Sequence, residues 1–500
     1  MERRSGPGEA YEAIESFVKS GREPALLEPG ESHFALRPGN FSLDWHNGRL
    51  TLQVWDEQRN LARRIAGVEE QKPGKIVLRI ERFGKQEGRI YLLDLARGAA
   101  SAGRQSARMA FREAFRRSLW RNFPDWRIAE LSMEPNLRES LSPAYPRALL
   151  RKGASGCAVL GVPPEPGAGA GALTFALIWL DYLRRRERRL AIESLALFLP
   201  DSDAQATCLR LRWLDPRAAR FATYVYSKEG YEEQVDPRDF ANLDTRFDVW
   251  HGPSPVLAPE AAAWVERICR IPYVERKARG DGAVALCVRG LEFARAAGAG
   301  LTFGLERKTP AFERHIEEIE ALAREIARLR SPAAPDRSHP LYRLQPEGWL
   351  ESQVRAHIER IGPQLAPIPV YGQVPAFGGG ERGVIDLLAT ARDGRLCVIE
   401  LKASEDIHLP LQALDYWMRV KWHLDRREFT GRGYFPGQPL GAEAPRLLLV
   451  APALEFHPKT EVILRYLTPE IEVERVGLAA GWRENVEVMF RARGAERPGA

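Results

Sequence analysis

The stretch VIDLLATARDGRLCVIELKASEDIHLPLQALDYW, residues 384–417, decides how this chain is read. Two apolar runs, Val384–Thr390 and Leu396–Leu401, flank Asp393-Gly394, a dipeptide that tolerates positive φ and so signals a hairpin. Asp386 and Glu400 then lie on neighbouring strands. Side chains alternate along a strand, so Glu400 and Lys402 share one face while Ile399 and Leu401 turn to the other. Beyond Ser404, Glu405 and Asp406 the pattern turns helical, with Pro410 in the first turn, where a missing N–H is tolerated. Gln412 and Tyr416 stand at i and i+4 of that helix and reach one point beside the sheet. Arg419, Lys421, Arg426 and Arg427 add positive charge further on.

Two carboxylates on paired strands can hold Mg²⁺ or Mn²⁺, hard cations that take oxygen ligands and keep room for a substrate phosphate. A phosphodiester is such a substrate, and a lysine beside the metal could orient a bound water or neutralise developing charge. An Asp followed by Glu-x-Lys also occurs on solvated strand faces as a surface ion pair. The conjunction of hairpin, Asp-to-Glu separation, Glu-x-Lys and Gln-x-x-x-Tyr in one order argues for a site. These residues resemble the PD-(D/E)XK nuclease superfamily, and within it the RecB-like nucleases and the archaeal and actinobacterial mismatch endonucleases. The resemblance covers residues 341–480. It implies a restriction-endonuclease-like mixed sheet flanked by helices, with the metal held by Asp386, Glu400 and the carbonyl of Leu401. It further implies that Lys402 assists the nucleophilic water and that Gln412 and Tyr416 position the strand. Glu351, in a helix read from Gly348 to Ile361, stands where many of these enzymes keep a further acid, with a solvated helix surface as the other reading. Ile385 replaces the proline of the family signature. Arg446–Pro452 reads as a buried strand, His457–Leu467 as a short amphipathic helix and Ile471–Val476 as a further strand, an α/β alternation.

An internal repeat emerges in the first half. Leu180-Asp181-Tyr182 echoes Leu414-Asp415-Tyr416, and LALFLP followed by CLRLRWLDP echoes LLLVAP followed by VILRYLTP. Arg147 to Gly161 spans 14 residues, as does Asp386 to Glu400. Residues 108–230 therefore read as a degenerate second copy of the α/β unit, in which Arg147, Gly161, Pro163 and Ile178 replace Asp386, Glu400, Lys402 and Gln412. Such a copy could bind no metal. Gly167-Ala-Gly169-Ala-Gly171-Ala172 fits a dinucleotide-binding fingerprint, but Pro163, Pro164 and Pro166 separate it from the strand, and it reads as a flexible surface loop. The apolar run Ala172–Leu180 falls short of the ~20 residues a membrane span needs.

Arg104, Arg108, Arg112 and Arg116 recur at i, i+4 steps opposite an apolar stripe of Ala107, Phe111, Phe115 and Leu119. Such a helix suits phosphate contacts, as it also suits an ordinary solvated surface. Residues 33–95 alternate apolar and polar positions, with Asn47-Gly48 and Pro73-Gly74 as turns, and predict a small antiparallel β domain. The first thirty residues, rich in Gly, Glu and Pro, read as partly frayed. Residues 231–310 are the least legible. An amphipathic helix, Ala311–Arg330, follows and could pack internally or make a homodimer, and SPAAPDRSHP after it reads as a linker.

The chain of 500 residues is expected to form a β-rich domain (1–100), a degenerate α/β domain (101–230), a connecting region (231–340) and a nuclease-like domain (341–500). A net charge of +6 permits nucleic-acid binding without demanding it. Five widely spaced cysteines argue for a reducing cytoplasm and against disulfides or a CxxC zinc site. With no P-loop or G-x-S-x-G motif, the expectation is a metal-dependent endonuclease or exonuclease acting on DNA, in repair or defence. The alternatives are a non-catalytic nucleic-acid-binding or assembly protein that keeps the fold, and an RNA nuclease.

Overall fold

The computed structural model describes residues 7–21, 23–27, 34–37, 40–46, 49–55, 60–82, 86–165, 167–227, 230–238, 245–247, 249–250, 257–279, 282–378 and 381–496. The chain is mixed α/β, with antiparallel and mixed sheets flanked by helices. It forms two compact units, Met1–Arg117 and Ser118–Ala500. Among the described residues no helix is long and apolar enough to cross a membrane.

In the first unit seven antiparallel strands make one sheet. Along Arg49–Trp55, Leu50, Leu52 and Val54 alternate into a core covered by the helix Pro7–Ser20, through its Ala10, Ile14 and Phe17. Within the first thirty residues, Pro7–Ser20 is thus a packed helix. Its composition hides an i, i+4, i+7 apolar stripe that the sheet needs as a cover. Pro73-Gly74 closes a two-residue hairpin between Lys72 and Lys75, with Gly74 at φ 82. The Asn47-Gly48 turn lies outside the described residues, as does the Arg104 side chain. On the helix Leu95–Asn122, Arg108 is exposed, while Arg112 and Arg116 pair with Glu113 at 3.4 and 2.7 Å.

The second unit contains two sheets of matching design. In the first, Arg127–Ser132, Arg147–Lys152, Ser155–Gly161, Ala191–Pro200, Arg220–Tyr226 and Glu232–Val235 lie side by side in chain order. In the second, Tyr371–Gly378, Glu381–Thr390, Leu396–Leu401, Arg446–Pro452, Val473–Leu478 and Val488–Arg493 do the same, and Thr245–Phe247 adds an outer strand. Each set of six runs antiparallel through three strands, parallel through the next two steps and antiparallel at the last. Parallel neighbours need crossovers. Helices Ala172–Arg186 and Asp201–Leu211 supply them in one sheet, and Leu409–Asp425 and Thr460–Leu464 in the other.

These helices merge the two sheets into a single core. Leu214 and Leu467, equivalent in the repeated LRWLDP and LRYLTP, bridge each other. The Asp215 N–H donates to the Tyr466 carbonyl at 2.8 Å and the Thr468 N–H to the Trp213 carbonyl at 2.9 Å, a reciprocal pair. Asp415, of the second Leu-Asp-Tyr, accepts two hydrogen bonds from Arg210 at 2.8 and 2.6 Å, while Asp181, of the first, lies 3.7 Å from Arg465. The repeated aspartate is an interface residue.

Register corrects one detail of the alignment between the repeats. Arg147 pairs with Leu160, the Val162 N–H donates to the Phe198 carbonyl at 2.9 Å, and the Lys402 N–H donates to the Val450 carbonyl at 3.0 Å. Glu400 therefore corresponds to Leu160 and Lys402 to Val162, one residue earlier than equal spacing predicts. The cause is the hairpin: a loop of two residues, Gly153-Ala154, replaces one of five, Ala391–Arg395, and one further residue on each strand makes up two of the missing three.

The Gly-rich segment is packed rather than free. The Gly169 N–H donates to Asp203 at 2.8 Å, and a Cβ on Gly171 would lie 2.9 Å from His408. Between the two sheets in sequence, Val274–Ala278, Val284–Val288, Leu291–Ala297, Gly300–Phe303 and Thr309–Pro310 form an antiparallel meander. The amphipathic helix, Ile316–Leu329, spends its apolar stripe on this meander together with Pro259–Cys269, so its packing is internal. At its end Arg330, fully buried over Trp349, donates to the carbonyls of Arg289, Leu341, Leu344 and Gln345 and so anchors the entry to the next helix. That helix runs Pro346–Ala356 and breaks at His357, which takes φ −133 and ψ 44 before a last turn at Ile358–Ile361.

Candidate active site

The hairpin places Asp386 opposite Glu400, since Leu387 pairs with Ile399. Leu396–Leu401 is a central strand buried along its whole length, so Glu400 is removed from bulk water, while Asp386 on the neighbouring strand is half-buried at the edge of a cleft. Asp386 Oδ2 accepts the Leu401 N–H at 2.9 Å, and Oδ1 accepts Gln373 Nε2 at 3.3 Å. Gln373 sits at φ 53, a left-handed conformation uncommon in a strand, beside the Gly372–Leu387 and Val374–Ile385 pairs.

Lys402, 12% exposed, stands among three acids: Glu400 at 3.7 Å, Glu347 at 3.7 Å and Asp406 at 3.8 Å. Burial pushes the Asp386 carboxyl up to about 6 against the opposing pull of the Leu401 N–H and Lys402. Burial, and then the facing Asp386, raise Glu400 well above the usual carboxylate range. Burial works to lower Lys402, but the surrounding carboxylates outweigh it and hold the ammonium charged. Two like charges in a dry site are unfavourable unless a cation or proton joins them.

Glu351 is 3% exposed and faces a residue the sequence did not single out. Lys277, on the meander and 2% exposed at its side chain, lies 2.7 Å from Glu351 Oε2, and Arg355 lies 3.6 Å from Oε1. A Cβ on Gly372 would come within 2.7 Å of Glu351 Oε1, so only glycine leaves that carboxylate its place. Gln412 and Tyr416 share a face as expected, with Nε2 donating to the phenol oxygen at 3.4 Å. After burial, the Glu400 charge is the next cause raising the Tyr416 pKa, so the phenol faces the acids.

Of the four downstream cations Arg426 and Arg427 are exposed, whereas Arg419 and Lys421 are engaged within the fold. Arg419 is 8% exposed, lies 5.8 Å from the Tyr416 ring, and requires Gly383, where a Cβ would fall 2.0 Å from its Nη1. Lys421 pairs with Asp425 at 2.8 Å and Glu470 at 3.9 Å. Sequence reasoning missed Glu347, Gln373 and Lys277. Glu347 and Glu351 are i, i+4 on one helix, so a face bearing both acids was there to be read. Nothing local marks Lys277.

The donor set fits a hard divalent cation in one respect: Glu400 Oε2 and Glu351 Oε1 are buried without a hydrogen-bond partner. Among the described residues no three His, Cys, Asp or Glu side chains converge closely enough to hold an ion by themselves. Asp386, Glu400 and the Leu401 carbonyl would share one. A cleft of about 730 Å³ opens onto Asp386, Glu347, Glu351 and Gln373 from the domain side and onto Arg279 and Lys308 from the meander. No family model matches the chain, and a search of curated proteins finds no match.

Proposed function

We propose that the chain is a Mg²⁺-dependent nuclease of the PD-(D/E)XK type, hydrolysing phosphodiester bonds with DNA as its foremost substrate, in repair or defence. The observation that carries this reading is the facing pair Asp386–Glu400, with Glu400 fully buried and open at Oε2 and with Lys402 beside it. The metal would supply Lewis-acid polarisation of the phosphoryl group and a more acidic bound water. The protein's own part is distinct. Gln373 and the Leu401 N–H fix the Asp386 carboxylate, and Lys402, kept charged by its acid neighbours, is placed to orient a water and offset charge on the phosphorane. Gln412 and Tyr416 offer an amide and a phenol to the strand.

In this reading the sheet Arg127–Val235 is a copy of the same fold that has lost its chemistry and serves for packing or for gripping substrate. A second reading, a nucleic-acid-binding protein without catalysis, draws on Lys277, which already supplies Glu351 with a positive partner. RNA as the substrate is a third. Cleavage of labelled single-stranded, double-stranded, branched and mismatched DNA, with RNA alongside, decides among them in Mg²⁺ or Mn²⁺ beside Lys402→Ala. Metal-dependent cutting that the variant lacks supports the nuclease and reveals its substrate. Salt-sensitive binding with no cutting would replace it by the second reading.

A further inference from the structure

The cleft over Asp386 has a second wall whose charge the proposed chemistry does not use. On the meander, Glu292 gathers three cations: Arg279 Nη2 at 3.1 Å, Arg295 Nε at 3.5 Å and Lys308 Nζ at 3.5 Å. Lys308 also reaches the Glu292 main-chain carbonyl at 3.4 Å. Arg279 and Lys308 line the cleft, and one carboxylate cannot balance both, so this wall carries net positive charge. It is partly shielded from water, with Arg279 19% and Glu292 22% exposed at their side chains, which strengthens its field.

The cluster is built rather than incidental. Glu292 and Arg295 are three apart and would point to opposite faces of a regular strand. A bulge at this point, where Leu286 pairs with Ala294 but Cys287 with Glu292, adds the residue that lets them meet. The wall is also fixed to the candidate site. Gly290 lies so close to Gly348 that a Cβ would fall 1.7 Å from the Gly348 carbonyl oxygen, and the buried Lys277–Glu351 pair joins the same two elements. Arg279, Glu292 and Lys308 thus face Asp386, Glu347 and Glu351 across the one cleft.

We infer that Arg279 and Lys308 form a phosphate-binding subsite for the nucleic-acid strand, with Glu292 holding the two cations together until a backbone phosphate takes its place. This rests on the proposed nuclease reading, and it answers a difficulty in that reading. A floor of acids repels a polyanion, so a strand needs opposing cations at a fixed distance from the metal ligands. Arginine, with its planar fork, suits phosphate oxygens, and lysine adds a point charge.

The test is fluorescence anisotropy of labelled single-stranded and duplex oligonucleotides on the full chain in Ca²⁺, at salt from 50 to 200 mM, roughly the range over which phosphate contacts are read. Arg279→Ala with Lys308→Ala should weaken binding by about tenfold or more at low salt and lower the slope of log affinity against log salt by roughly one to two. Glu292→Gln, which removes the competing carboxylate and keeps the shape, should tighten binding several-fold. Unchanged affinity and slope in the double variant would overturn the subsite, as would weaker binding by Glu292→Gln in a protein whose melting temperature is unaltered. Cleavage that survives in Lys402→Ala would sink the catalytic reading instead, leaving the binding result standing on its own.

Discussion

Two sheets in this chain share, over six strands each, strand order, direction, crossover helices and a reciprocal bridge between Leu214 and Leu467, yet differ completely at three positions. Where one has Asp386, Glu400 and Lys402, the other has Arg147, Leu160 and Val162. Arg147 is no vestige: it donates to the carbonyls of Ser142 and Glu134 and lies 5.5 Å from the Trp179 ring. Leu160 and Val162 are fully buried in the shared core. One sheet thus fills the space with packing and hydrogen bonds, while the other keeps charge there at a cost to its stability. The comparison teaches that the frame depends on apolar period and interface contacts, and that the charged groups occupy a few positions the frame does not need.

The sharpest way to break the comparison is to exchange what is removed. Asp386→Asn should lower metal-dependent cleavage by at least about 10³-fold, as expected when charge stabilisation is lost, with the melting temperature kept. Arg147→Ala should lower the melting temperature and leave kcat intact in the folded fraction. Equal catalytic loss in both would mean that the sheets are not divided in role.

Next in size is the interface. Asp415→Ala removes two charge-assisted hydrogen bonds from the buried Arg210 and should destabilise the second unit by about 3 kcal/mol in urea unfolding. Asp181→Ala acts on Arg185 at 2.9 Å and Arg465 at 3.7 Å, both about half exposed, and should stay below about 1 kcal/mol. The reverse order would show that the repeated aspartates do different work from that argued here.

A smaller effect concerns pH. A carboxyl whose pKa rises on folding supports the fold only while protonated. For Asp386 that support is complete below about pH 4 and is lost as pH climbs through about 6. In EDTA, wild-type stability should therefore fall across this window by on the order of 2 kcal/mol, and Asp386→Asn should flatten the fall. Added Mg²⁺ should restore stability at pH 7.5 in the wild type alone. A flat wild-type profile would remove the buried-acid argument. The smallest expected effect is that of Arg108, Arg112 and Arg116 together, whose replacement by Ala should modestly weaken DNA binding and its salt dependence. Two of them already pair with Glu113, and an unchanged slope returns that helix to surface decoration.

The sequence alone determined what local physics controls. The Asp-Gly turn, the run Leu396–Leu401 and the i, i+4 spacing of Gln412 and Tyr416 specify a hairpin and a helix, because alternation and helical period are properties of the chain itself. The repeated Leu-Asp-Tyr and LRWLDP segments likewise announced two related halves. Only the tertiary structure decided what depends on contacts far apart in sequence. A shorter loop, partly offset by longer strands, moved the alignment of Glu400 by one residue to Leu160, which equal spacing could not reveal. The partner of Glu351 is Lys277, 74 residues away on the meander, and the acid nearest Lys402 on that helix is Glu347. Residues 274–310 showed no legible motif, yet they supply one wall of the cleft. A buried charge finds its partner through packing, and packing is set by the whole fold.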